Sequence, residues 1–470
     1  MSTAALEERP SGAEETPQPP IGDLSHLGDE RQIGRLVMRM AWPAILENAL
    51  QTLLGIVDTI MVARLGNEAV AGVGAGTQWL FLFFSIVFGL STGSVVLVAR
   101  AIGAGDPMAA NRAMRQSVLF GVAAGLLFTL FGLIAAESAM GLLGASGEVA
   151  RIGASYLRII ALGGVLTATA LVLSAVLRAA GDTRTPMLAT AVANVINAVV
   201  AYGLIFGQLG LPTLGPDGSA WGLNAARVVA FVMLVAVLAR GRGSLKLDLR
   251  GWLPDPAILG RIARFGAPTA FEQVILMTSF MAFSMIAIQL GTVAFATQRI
   301  TFNAITISFL PAFGFAIAAT TLTGQALGAG RPDLAERSAW VAVRLAALWM
   351  GGMALVYFFA GEPLLRVFTS DPAVLAVGVP ALQVIALATP TWSVGMVLSG
   401  ALRGAGDTRF PLITTTITGW AIRVPIGFVC GLTLGLGLPG VYAGTLGDAL
   451  VGSALVVWRY RRGKWREIKV

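Results

Sequence analysis

Charge is what this sequence has least of. Asp, Glu, Lys and Arg make up only 12% of its 470 residues, against about 25% in an ordinary soluble domain. With 56% hydrophobic residues and a mean hydropathy of +0.77, too little polar surface remains to cover a water-soluble fold. That excludes the soluble globular class and leaves a polytopic membrane protein. Cysteine is nearly absent too. The one cysteine, Cys430, excludes an intrachain disulfide. The one histidine, His26, excludes a His/Cys metal cluster and any imidazole proton relay inside a membrane. There are three lysines, Lys246, Lys464 and Lys469, and no GxxxxGK[ST] phrase, which excludes a P-loop ATP site. Uphill transport by such a chain must draw on an ion gradient. No clustered nucleophile, base or metal constellation is present, so the chain does not read as an enzyme.

Long apolar runs are what the sequence has instead. The stretch WLFLFFSIVFGLSTGSVVLVA (79–99) carries no charge and meets the ~20 residues that a spanning helix needs. Backbone groups in lipid must bond within their own segment, so these runs predict helices. Twelve spans are expected: about 35–63, 69–100, 111–136, 150–178, 186–209, 219–240, 258–289, 294–326, 336–360, 374–402, 411–435 and 440–460. Alternate loops are rich in basic residues, among them Arg112 and Arg115, Arg178 and Arg184, Arg242 and Arg250, and Arg403 and Arg409. Both termini belong to that basic set, which predicts that both are cytoplasmic. The net charge of +8 then reports orientation and not a nucleic-acid partner. Residues 1–34, rich in Pro, Glu and Ser at their start, read as a disordered cytoplasmic tail.

One phrase is written twice: LRAAGDTRTP at 177–186 and LRGAGDTRFP at 402–411, an offset of 225 positions. The same offset carries IGAGDP (102–107) onto LGAGRP (327–332) and PAILEN (43–48) onto PTAFEQ (268–273). The chain is therefore read as all-α, with twelve transmembrane helices in two six-helix repeats. An even number of spans per repeat makes the repeats parallel. The expected divisions are an N-terminal lobe 35–240, a cytoplasmic linker 241–257 and a C-terminal lobe 258–470. In the phrase itself, Gly181 and Gly406 are expected to end helices in left-handed geometry. Arg178 and Arg403 are expected to pair locally with Asp182 and Asp407, and a gate latch between the halves is the sharper reading of the turn.

Ionisable residues inside spans are costly and mark function by default. They are Glu47, Asp58, Arg227, Glu272, Arg299, Arg423 and Asp448. Glu47 and Glu272 are repeat mates, each four residues after a proline, Pro43 or Pro268, and each followed by an amide, Asn48 or Gln273. Both are candidate substrate or proton sites. Asp58 lies eleven residues after Glu47, which puts both on one helix face about 16 Å apart, with Gln51 near the same face. The repeat mate of Asp58 is Phe283, so this acid belongs to the N-terminal half alone. Arg423 and Asp448, on adjacent spans, are expected to pair. Met277, Met281, Met285 and Met396 are candidates for an adaptable apolar lining.

Taken together, the twelve spans, the duplicated LRxAGDTRxP, GQALGAGRP (324–332) and the aspartate in IVDTIMVARLG (56–66) resemble the MATE family of multidrug and toxin extrusion transporters, of the bacterial NorM/DinF type. The resemblance covers about 35–460. It implies a secondary active efflux transporter of the bacterial inner membrane that admits H+ or Na+ while organic, often cationic, compounds leave. It implies no cofactor beyond the coupling ion and is read with a monomer embedded in lipid. It places Asp58 at the ion or proton site with Asn197 as its neighbour. The chain departs from the pattern at Ala201, where many members carry Asp or Asn, and no acid lies in the tenth span. The first departure means that an Asp–Asp proton or Na+ site does not carry over intact, and the second shifts the reading towards H+. The alternative of the same architecture is a flippase for a lipid-linked substrate, which the acidic character of the candidate residues disfavours.

Overall fold

The structure, a computed structural model, describes residues 29–241, 243–248 and 251–470. Most of the expected tail (1–28), His26, and Arg242 and Arg250 of the basic linker lie outside the described residues. Residues 30–34 are not tail: the first helix begins at Glu30, capped by the Asp29 carboxylate, which accepts from Arg31 N.

Among the described residues, eleven helices are long and apolar enough to cross a membrane, and a bent pair counted as one span brings the number to twelve. The first half contains α1 (Glu30–Ala63), α2 (Asn67–Gly103), α3 (Pro107–Leu142), α4 (Gly147–Leu162), α5 (Gly164–Ala179), α6 (Arg184–Phe206) and α7 (Pro216–Arg240). The second contains α8 (Pro256–Gln289), α9 (Thr292–Gly328), α10 (Pro332–Phe359), the short α11 (Gly361–Arg366), α12 (Pro372–Ala405), α13 (Arg409–Thr416), α14 (Val424–Phe428) and α15 (Gly437–Arg461). The expected fourth span is α4 and α5, bent by 56° at Gly163. The eleventh span, Arg409–Thr433, runs through α13 and α14 with π-helical turns at Ile417–Arg423 and Val429–Thr433. The starts of α2, α3 and α6 recur 225 residues later as the starts of α9, α10 and α13. The repeat read in the letters is thus a repeat of helices.

Each half lends its first helix to the other. Ile33, Val37, Met40 and Ala41 of α1 are buried in a core with Phe315, Leu322 and Val341 of the second half. In mirror fashion, Ile258, Ile262 and Phe265 of α8 are buried in the core of the first half. The described part of the linker is tied to α3: Asn111 donates to Ser244 O and accepts from Lys246 N, and Gln116 donates to Leu253 O.

The closest backbone contacts along the seam lie towards one end. Glycines let α2 and α8 touch backbone to backbone: a Cβ on Gly89 would sit 2.3 Å from Ala270, and one on Gly93 2.1 Å from Ile262 O. Such close approach through small residues is how helices associate in lipid, where burial from water supplies no drive. Among the described residues, no hydrogen bond joins the halves beyond Ser85 and Met277, about midway along their helices. The halves are therefore sealed at the face that bears Glu30 and the last residues of the chain.

Candidate functional site

Glu47 and Glu272 are both buried, and each is held by an arginine of its own half. Nη1 of Arg178, in the last turn of α5, donates to both oxygens of Glu47 at 3.0 and 2.9 Å. From the last turn of α12, Arg403 donates through Nη2 to Oε1 of Glu272 at 2.7 Å and through Nε to Oε2 at 3.3 Å. The Thr415 hydroxyl adds a third bond to Glu272 at 3.3 Å. The expected local pairing of Arg178 with Asp182, and of Arg403 with Asp407, is corrected here. Asp182 accepts from the backbone and hydroxyl of Thr185, and Asp407 accepts from Arg459 at 2.7 Å. Reach explains it. An arginine in a final helical turn stretches back along the bundle to a buried carboxylate, where a charge gains most from a partner. The two pairs share one sequence separation, 131 residues. Both members of each pair are duplicated at the same offset, and that was the signal available in the sequence.

Gln51 is exposed and Gln273 half-buried, each on the helix of its glutamate. Asp58, higher on α1, is half-buried. Its Oδ1 accepts from the Ser219 hydroxyl of α7 at 2.7 Å. Tyr156 of α4 lies beside Asp58, Ser219 and Thr77 and within electrostatic reach of Arg227. The guanidinium of Arg227 rests over the Phe84 ring at 5.2 Å. Asn197 is 2% exposed, and its side-chain oxygen has no partner. The structure does not join Asn197 to Asp58 by a hydrogen bond. Asn194, one turn earlier, donates to Leu50 O at 2.7 Å, so Asn197 lies about 8 Å below the level of Asp58 along α1. Ala201 is fully buried, and a Cβ on Gly222 would meet its Cβ at 2.6 Å. This spot is packed shut by a helix contact. Sequence reasoning missed Ser219 and Tyr156; a hydroxyl among the small residues that open α7 was the only hint.

The second half has no counterpart to Asp58. Phe283 occupies the position, buried, with its ring 5.3 Å from that of Tyr442. The acid that the second half does carry, Asp448, is buried and paired with Arg423, as the sequence led us to expect. Arg423 also stacks on Phe280 at 4.2 Å. Of the four span acids named from sequence, three are thus bound to arginine, and Asp58 alone is held by a neutral hydroxyl. Among the described residues no group of His, Cys, Asp and Glu is arranged to hold a metal ion. Met281 and Met285 are exposed, and Met277 accepts weakly from Ser85 at 3.6 Å.

Two segments, 43–203 and 268–429, match the MatE family model, which takes in most of the chain and finds it twice. The chain belongs to the MATE family. It is 32% identical over 93% of its length to the probable multidrug resistance protein NorM of Thermotoga maritima, covering 94% of that protein. It is 30% identical to the probable multidrug resistance protein NorM of Rhodopseudomonas palustris, over 90% of each chain. Among solved structures it is similar in fold to a MOP superfamily transporter from Pyrococcus furiosus. That likeness has a TM-score of 0.86 at 23% identity, covering 93% of this chain and 97% of the other. A MATE structure in a bent conformation matches with the same TM-score at 24% identity, covering 93% and 98%. Members of the MATE family are membrane transporters and not enzymes.

Proposed function

We propose that this transporter exports organic, cationic drugs or toxins in exchange for H+, or for Na+, by alternating access of two lobes, 35–240 and 258–470. It would do so as a monomer in a bacterial inner membrane, with both termini in the cytoplasm. Asp58 is the coupling acid in this reading, assisted by Asn197. The observation that carries it is the neutral environment of that carboxylate. A carboxylate already neutralised by arginine gains little from a proton or a small cation, whereas one held only by a hydroxyl gains much. Protonation of Asp58 removes the negative charge that favours a cationic solute in the cleft, so ion and substrate exclude one another. Glu47 and Glu272, with Gln51 and Gln273 beside them, are the second set of proposed substrate or proton contacts. A proton or cation arriving there must compete with Arg178 or Arg403. A flippase of anionic lipid-linked substrates would want those arginines free, and both are held by glutamates.

The test is export of a fluorescent organic cation from proteoliposomes, driven by ΔpH alone and then by ΔNa+ alone. Asp58→Asn should abolish export driven by the coupling ion. Undiminished export in that variant would reject the assignment.

A further inference from the structure

We infer that two reciprocal hydrogen-bond latches, Arg100 to Ala405 O and Gln325 to Ala179 O, hold the seam shut at the face that bears the termini. This rests on the alternating-access reading above and names the residues that govern it. Helix ends leave carbonyls without partners. In each copy of the duplicated phrase a left-handed glycine, Gly181 or Gly406, turns the chain. The next amide then returns to the helix: Asp182 N to Leu177 O at 2.9 Å, and Asp407 N to Leu402 O at 2.8 Å. Two neighbouring carbonyls are taken from the opposite half. Nη2 of Arg100, on α2, donates to Ala405 O at 3.1 Å. Nε2 of Gln325, on α9, donates to Ala179 O at 2.8 Å.

Arg100 and Gln325 are repeat mates, 225 positions apart. Their acceptors fall one residue off the strict repeat, and the reciprocity survives that slip. The helices come close enough because Gly103 and Gly328, also repeat mates, carry no side chain. A Cβ on Gly103 would lie 1.9 Å from Gln325 O, and one on Gly328 2.1 Å from Arg100 O. The donors therefore sit where α2 and α9 cross backbone on backbone, and each reaches past the crossing to the phrase of the other half. The Glu47–Arg178 and Glu272–Arg403 pairs tie each lent first helix back to its own half. The latches join the halves and must break when this face opens. The first half's donor holds one partner more: Arg100 Nη2 also donates to Ile468 O at 3.1 Å, in a final segment that lies against Gly406.

The test uses the full chain in lipid nanodiscs, in a Cys430→Ser background, with spin labels at the exposed pair Met108→Cys and Arg337→Cys. Distance distributions then report how far this face is open. A net hydrogen bond is modest, so Arg100→Ala and Gln325→Ala should each lower the closed-to-open ratio about threefold, and the pair together about tenfold. Gln325→Met keeps the length of the side chain but removes the donor to Ala179 O, and should open the face as much as alanine does. Arg100→Lys, which retains a donor, should restore most of the closed population. Native distances in a folded double variant, or in Gln325→Met, would overturn the proposal. If the unaltered chain exports no cation while the variants still shift the distances, the transport reading fails and the latches stand.

Discussion

The two halves of this transporter repeat the same helices at one offset, yet they do not carry the same acids. What repeats is mechanical: the first helix lent across the seam, the buried glutamate tied to an arginine, the donor reaching into the opposite half. What does not repeat is the unpaired acid. The first half has Asp58 on a serine hydroxyl, and the second has a phenylalanine packed on a tyrosine. The second half locks its additional acid, Asp448, to Arg423 on a span wound partly as π-helix. Symmetric parts suit a motion that both halves share. A single asymmetric carboxylate suits an ion that needs only one site.

The largest effect should come from breaking the locked acid. Arg423→Met alone strands a buried carboxylate and should cost about 3–5 kcal/mol, read as a steep fall of the thermal midpoint in detergent. Arg423→Met with Asp448→Leu removes both charges and should recover most of that loss. Failure of the double variant to recover would mean that Arg423 serves something other than Asp448.

Next come the repeated pairs. Glu47→Gln and Glu272→Gln should each destabilise by about 1–3 kcal/mol, and by similar amounts. A silent change in one half and a costly one in the other would break the claim that these pairs are equivalent.

Much of this was legible in the letters. The apolar runs marked twelve spans, and the duplicated phrase with its one offset marked their pairing between halves and the glycine turns. The partners of Glu47 and Glu272 were not legible, although both members of each pair were written twice. Sequence proximity suggested Asp182 and Asp407, four residues from each arginine, and a helix end permits that pairing. Burial alone did not decide it, because Asp407 is as buried as Glu272. Arg459 takes Asp407 and Thr185 takes Asp182, and each arginine of the phrase reaches a glutamate instead. The break at Gly163 was hidden because a bent helix keeps the composition of a straight one. Ser219 was hidden because register on α7, not residue type, aims its hydroxyl at Asp58.

Smaller effects sharpen the contrast further. Ser219→Ala removes the hydroxyl that donates to Asp58 and should shift the coupling-ion concentration for half-maximal export about fivefold, with stability almost unchanged. Thr415→Val should cost at most about 1 kcal/mol, since Glu272 keeps its arginine. A larger loss would show that the hydroxyl, and not Arg403, holds that glutamate.

The most direct measurement is ion displacement in weakly buffered detergent solution. Adding a fluorescent organic cation to the purified transporter should release protons, or bound Na+ if that is the coupling ion. The account predicts that release survives in Asp448→Leu with Arg423→Met and vanishes in Asp58→Asn. Undiminished release from Asp58→Asn would contradict it.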